Sequence, residues 1–173
     1  MHGALKDSAM IEKTVSANWE DPGKKGEGQI ITETGALERY PYGFASRLED
    51  DRRGTNPQEI LAAAHAACFT MAFSFACDKG GFANDKVDTH VRVRLSPQGE
   101  GFVIDRIALT LNAAVPGIDE ARFTAFGTSC DRGQELALMG NHRDGFSTMN
   151  GASNEDSNEN INRPGDKVLA IDG

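Results

Sequence analysis

Residues 54–81 read Gly-Thr-Asn-Pro-Gln-Glu-Ile-Leu-Ala-Ala-Ala-His-Ala-Ala-Cys-Phe-Thr-Met-Ala-Phe-Ser-Phe-Ala-Cys-Asp-Lys-Gly-Gly, and this stretch decides the fold. It opens with a helix start: Asn56 is a capping residue type, Pro57 suits the first helical position, and Glu59 completes a capping-box pattern. The spacing predicts a helix to about Lys79, halted by Gly80-Gly81. Ile60 to Cys77 is almost wholly apolar and approaches the length of a membrane span. Its Ala content, the polar His65, Thr70 and Ser74 within it, and Asp78 and Lys79 at its end suit instead a buried central helix of a globular protein. A helix apolar all round cannot face water on any side, so more than one surface must cover it.

Extended segments are predicted on both sides of this helix. Upstream, Thr14 to Trp19 and Gln29 to Glu33 read as strands across the turn-rich Asp21-Pro22-Gly23-Lys24-Lys25-Gly26-Glu27-Gly28, and Glu49 to Arg53 reads as a charged connector. Downstream, Val87, Val91, Val93 and Leu95 alternate with polar neighbours, and Phe102 to Leu111 forms a second run across Ser96-Pro97-Gln98-Gly99, which predicts an antiparallel pair. Pro116-Gly117-Ile118-Asp119 opens a further helix carrying Phe123 and Phe126. We expect one domain over 1–140 and a polar, poorly packing tail over 141–173, with Val168 to Ile171 as a last edge strand. The chain has 173 residues, which suffices for one core and no more.

A formal net charge of -8 leaves no basic stripe to neutralise a phosphate backbone, so nucleic acid is excluded as an expected partner, and an anionic membrane surface equally. Met1 to Lys13 carries neither a secretory pattern nor a lipidation motif, which predicts a cytoplasmic protein. The three cysteines, Cys68, Cys77 and Cys130, are odd in number and unevenly spaced. That argues for reduced or reactive thiols rather than a disulfide framework, and no Cys-x-x-Cys or His-rich cluster suggests a metal.

Cys68 lies among Ala64, Ala66, Ala67 and Ala72, small neighbours that leave room for a ligand to reach the sulfur. Two readings compete, because a free cysteine is also an ordinary small core residue. A reactive role requires a nearby positive charge, since the thiolate is the nucleophile. His65 is the polar group on the Cys68 face, one turn earlier, and it too has a plain core reading. A guanidinium from another segment would serve better, being permanently charged and able to bond both the sulfur and an acceptor oxygen beside it.

Pro41-Tyr42-Gly43-Phe44-Ala45-Ser46-Arg47, Gly54-Thr55-Asn56-Pro57-Gln58-Glu59 and Ala63-Ala64-His65-Ala66-Ala67-Cys68-Phe69 together resemble the osmotically inducible protein C and organic hydroperoxide resistance family, nearest the osmotically inducible branch. Trp19 before a Gly/Lys-rich turn, Gly101-Phe102 and Val115-Pro116-Gly117-Ile118-Asp119 extend the likeness, which runs from about Trp19 to Phe123. The resemblance implies an α+β fold with antiparallel sheets around the central helix, and an intertwined homodimer. It implies a stress-defence peroxidase in which Cys68 attacks an organic hydroperoxide, Arg47 sits beside the sulfur, a second cysteine forms a disulfide with Cys68, and no cofactor is needed. Cys130 is the candidate for that second thiol, and an external dithiol of the lipoyl type is the expected reductant. Phe44, Phe69 and Phe73 are candidates to line an apolar pocket, each with an alternative reading as core.

Thiolate attack on the O–O bond gives a sulfenic acid and expels an alkoxide, so Arg47 can favour the thiolate and hold the developing oxyanion charge. This chain departs from the family pattern twice. The carboxylate that usually follows Asn-Pro and orients the arginine is replaced by Gln58, which accepts a hydrogen bond but carries no charge. The Cys-Pro of the later helix is absent, and Cys130 comes about one helical turn early, after the weak helix formers Gly127-Thr128-Ser129. Cys77 is too far along the helix from Cys68 to bond to it and reads as core. These departures sustain an alternative: a catalytically weak dimer that binds a small apolar ligand.

Overall fold

A computed structural model describes residues 12–49, 51–139 and 167–172. The expected boundary near residue 140 and most of the expected polar tail lie outside the described residues. Contacts divide the chain into two compact units, 1–57 and 58–173.

The first unit is a three-stranded antiparallel sheet in the order β1 (Val15–Glu20), β2 (Glu27–Thr32), β3 (Tyr40–Gly43). The Pro-Gly turn predicted between the first two strands holds a short 3-10 helix, Gly23–Lys25. Two close approaches explain the glycines of β2 and the turn before it. A Cβ on Gly28 would collide with the Tyr42 ring, and one on Gly26 with the Trp19 indole. The strand β3 and the helix α1 (Phe44–Leu48) have no counterpart among the predicted elements. Both are too short for a period to be read: β3 is fixed by its pairing with β2, and α1 by hydrogen bonds that join Ser46 to Thr55 and Asn56 further along the chain.

The second unit carries the long helix, α2 (Pro57–Lys79), with the ends that capping chemistry predicts. At its C-terminus the Gly81 N–H donates to the Asp78 carbonyl at 3.0 Å and the Phe82 N–H to the Cys77 carbonyl at 2.9 Å, while Gly81 has φ +81°. That is a Schellman closure, which needs a left-handed residue at Gly81. β4 (Lys86–Gln98) and β5 (Gly101–Ala114) form the predicted hairpin, with a register shift at Arg94/Leu95. α3 (Glu120–Met139) follows, and β6 (Lys167–Asp172) pairs antiparallel with β5 as the predicted edge strand.

The core lies between the β4–β5–β6 sheet and the helices α2 and α3. Leu109, Leu111 and Ala113 alternate along β5 toward Phe69, Phe73 and Cys77 of α2 and Phe123 and Cys130 of α3. Phe73 meets Phe123 edge-on at 5.3 Å between ring centroids and lies parallel to Phe69 at 6.5 Å. A polar seam joins α2 to the chain beyond it, with the Thr70 and Thr89 hydroxyls 2.7 Å apart and Ser74 donating to the Asn84 side chain at 3.0 Å.

Among the described residues one helix, α2, is long and apolar enough to cross a membrane by length and composition alone. In this fold Phe69, Phe73 and Cys77 bind it into the core. The sequence predicts a helix buried on every side, and here the structure differs. Within a single chain the buried residues of α2 are Gln58, Phe69, Phe73 and Cys77, while Met71 and Phe75 are 55% and 67% exposed. One layer of sheet and one neighbouring helix cover one stripe of a helix, not its circumference.

Candidate active site

Arg47 sits in α1, and the residue before it, Ser46, is held from two sides. The Gly43 N–H donates to the Ser46 hydroxyl oxygen at 3.0 Å, and that hydroxyl donates to the Thr55 carbonyl at 2.7 Å. The Asn56 side-chain amide donates to the Ser46 carbonyl at 3.1 Å, and the Thr55 N–H to the Pro41 carbonyl at 2.9 Å. The Gly-Thr-Asn motif therefore does more than start a helix: it clasps the Pro-Tyr-Gly-Phe-Ala-Ser-Arg motif, and the two separate sequence signatures form one local structure. Arg47 itself is solvent-exposed.

Next to this clasp is a cleft of about 280 Å³, whose lining includes Lys24, Lys25, Tyr42, Phe44, Ser46 and Arg53. Phe44 lies half-buried there under the Lys24 ammonium, 5.2 Å from its ring centroid. Arg53 is occupied by Asp51, with contacts of 2.7 to 3.1 Å. Of the three candidate pocket aromatics, Phe44 alone lines this cleft, while Phe69 and Phe73 are fully buried core.

Cys68 belongs to the second unit. It is half-buried on the fourth turn of α2, with His65 half-buried one turn before it. Gln58, in the first turn, is buried, and its amide oxygen has no hydrogen-bond partner. A buried acceptor left without a donor costs free energy, so the position is suited to a donor that approaches it.

Cys130 lies within α3, where Gly127-Thr128-Ser129 does not interrupt the helix. Phe123, Phe126, Gly127 and Cys130 recur at helical spacing on the core face. Phe126 packs edge-on against Phe82 at 6.3 Å, and Gly127 lies so close under Leu169 of β6 that any Cβ would overlap it. The glycine that weakens helix propensity is the one that lets β6 approach α3. Cys130 is 9% exposed and Cys77 0% exposed, in one cluster. Burial raises the Cys130 thiol above its ordinary value, and the Cys77 and Asp131 charges raise it further; burial alone raises Cys77.

The structure thus brings Cys130 to Cys77. Nine residues separate Cys77 from Cys68, about 13.5 Å along the axis and half a revolution around it. Cys68 therefore faces away from the stripe where Cys77 and Cys130 meet. Alkylation of the native protein with iodoacetamide near neutral pH should label Cys68 first, with Cys77 and Cys130 reacting only on unfolding, because buried thiols with raised values are scarcely ionised. Peptide mapping that found Cys130 labelled as fast as Cys68 would contradict this arrangement. Among the described residues no group of three His, Cys, Asp or Glu side chains gathers into a cation site.

Comparison with known proteins agrees with this arrangement of motifs. The OsmC-like protein family matches residues 49–132. The chain is 46% identical over 113 residues to a protein of Escherichia coli (strain K12) named peroxiredoxin OsmC, covering 65% of this chain and 78% of that one. It is 37% identical over 76 residues to the organic hydroperoxide resistance protein of Xanthomonas axonopodis pv. citri, covering 39% of this chain and 46% of that one. Among solved structures, the organic hydroperoxide resistance protein OhrB of Bacillus subtilis shares the fold with a TM-score of 0.56 at 23% identity, over 77% of this chain and 94% of the other. A protein of Legionella pneumophila described as an organic hydroperoxide resistance protein OsmC does so at 0.55 and 23%, over 78% and 93%. With the fold, the motif clasp and this degree of identity in agreement, the chain belongs to the OsmC family.

Proposed function

We propose that this protein is a thiol-dependent peroxidase that reduces organic hydroperoxides to alcohols, with Cys68 as the attacking nucleophile. The observation that carries this reading is the contrast among its thiols: Cys68 is half-buried on α2 outside the core cluster, whereas the other two are buried in the core. Relatives named for peroxiredoxin activity and for organic hydroperoxide resistance support the same class of reaction. The Cys68 thiolate attacks one peroxide oxygen, the O–O bond breaks, and the alkoxide leaves as its charge is neutralised. A dithiol reductant then returns the sulfenic acid to the Cys68 thiol, with release of water.

Arg47 supplies the positive charge that favours the thiolate and holds the developing oxyanion. Gln58 is the positioning residue for it, offering its amide oxygen to the guanidinium. The outward face of α2, with Met71 and Phe75, is covered by a second copy of the chain in a homodimer. The competing reading, a weak ligand-binding dimer, draws on the neutral Gln58 in place of a carboxylate.

Consumption of cumene hydroperoxide with a dithiol reductant decides between the two. Turnover by the wild type supports the peroxidase, and binding without turnover supports the alternative. Arg47→Ala should lower the rate roughly 10²–10³-fold, the scale set by losing a preorganised charge at a developing oxyanion. Gln58→Glu should raise the rate and keep the melting temperature, because the carboxylate gains a charged fork with Arg47. A Gln58→Glu protein that is both slower and less stable would show a buried charge without a cation, and Arg47 held elsewhere.

A further inference from the structure

Cys130 stands on the segment where the family resemblance implies a second catalytic thiol, about one helical turn early, and its surroundings commit it elsewhere. Three contacts on one face of α3 hold the turn that carries it: Phe123 on Phe73, Phe126 on Phe82, and Gly127 under Leu169. Each belongs to the core stripe that also contains Cys77. Cys68 lies half a revolution around α2 from that stripe. A disulfide requires Cα atoms within about 7 Å and convergent Cβ vectors. For the Cys130 sulfur to reach Cys68, the aromatic contacts and the β6 approach must all be broken in each catalytic cycle.

Resting on the peroxidase reading, we propose that Cys68 works as a one-cysteine centre whose sulfenic acid is resolved directly by the external dithiol, while Cys130 serves the core beside Cys77. The cycle balances without Cys130. The Cys68 sulfenic acid and one thiol of the reductant form a mixed disulfide and release water. The second thiol of the reductant then attacks its own bonded sulfur, expelling the Cys68 thiolate and closing a cyclic disulfide. The reductant loses two electrons, matching the two taken by the hydroperoxide when its O–O bond breaks to give alcohol and, from the sulfenic oxygen, water. Cys68 lies outside the core cluster, whereas Cys77 and Cys130 are buried within it and shielded from such a reductant. The raised values of Cys77 and Cys130 agree, since a thiol held protonated is a poor partner for a sulfenic acid.

The test is Cys130→Ala in the full-length protein, beside the wild type. Dithiol-supported turnover of cumene hydroperoxide should stay within about twofold of wild type. After one equivalent of hydroperoxide without reductant, both proteins should carry Cys68 as a sulfenic acid trapped by dimedone, and both should pass to sulfinic acid at equal rates under excess peroxide. A Cys68–Cys130 linked peptide in the wild type would overturn the proposal. So would a tenfold fall in turnover, or markedly faster overoxidation, in a Cys130→Ala protein with an unchanged melting curve. If the alanine variant fails to fold, the wild-type peptide map alone still decides. These outcomes are separable from failure of the peroxidase reading itself, which would appear as a wild type with no turnover, or as a Cys68→Ser variant with full turnover.

Discussion

Cys68→Ser should reduce turnover of cumene or tert-butyl hydroperoxide by at least about 10³-fold, since removing an enzyme's nucleophile removes the covalent step itself. A serine hydroxyl is scarcely ionised near neutral pH and forms no sulfenic acid, so neither the first step nor the reductive half of the cycle survives. The substitution is nearly isosteric and falls at a half-buried position outside the core cluster. The variant should therefore retain its thermal transition, and loss of activity can be read as loss of chemistry. The assay follows hydroperoxide consumption with a dithiol, alongside dimedone labelling. Consumption at the wild-type rate by a folded Cys68→Ser protein would remove Cys68 from the mechanism, and with it the role proposed for Arg47.

The largest effect on stability is expected at Phe73. It is fully buried, parallel to Phe69 and edge-on to Phe123, and so joins α2 to α3 through a single side chain. Phe73→Ala leaves a cavity between two helices whose backbones are tied by other contacts, and should cost about 3–5 kcal/mol. For a unit of this size that corresponds to a fall of roughly 10–25 °C in melting temperature. Phe75, two residues on, is the control. It lies on the exposed face of α2, and within one chain its replacement by Ala should move stability by no more than about 0.5 kcal/mol. If a second copy covers that face, Phe75→Ala will instead weaken association, and sedimentation at micromolar concentration will show more monomer. Equal melting temperatures for Phe73→Ala and wild type would mean that α2 and α3 are not joined through this contact.

Much of this architecture was legible in the residues. Both ends of α2 follow from local chemistry: Pro57 presets the first helical φ, and Gly81 takes the left-handed conformation that closes the last turn. The β4–β5 hairpin follows from alternation, and the edge strand β6 from a short apolar run. α1 was not legible, because five residues contain little more than one helical turn and its hydrogen bonds come from Thr55 and Asn56. The continuity of α3 was not legible either. Gly127-Thr128-Ser129 is unfavourable as a helix taken alone, and tertiary packing overrides that preference. The recurrence of Phe123, Phe126, Gly127 and Cys130 at helical spacing was the available signal.

The site divides in the same way. Which thiol can be a nucleophile, and which cation can serve it, was carried by contiguous motifs, because each motif encodes a local backbone geometry that its own residues enforce. Sequence by itself therefore determined the family, the long helix and the candidacy of Cys68 and Arg47. Only the tertiary structure decided that Cys130 turns toward Cys77, that Gln58 buries an acceptor without a donor, and that α2 is covered along one stripe and bare along another. Those outcomes depend on which faces of α2, α3 and the sheet meet. Burial is a property of surfaces in contact, and residues far apart in the chain share no local signal that records it.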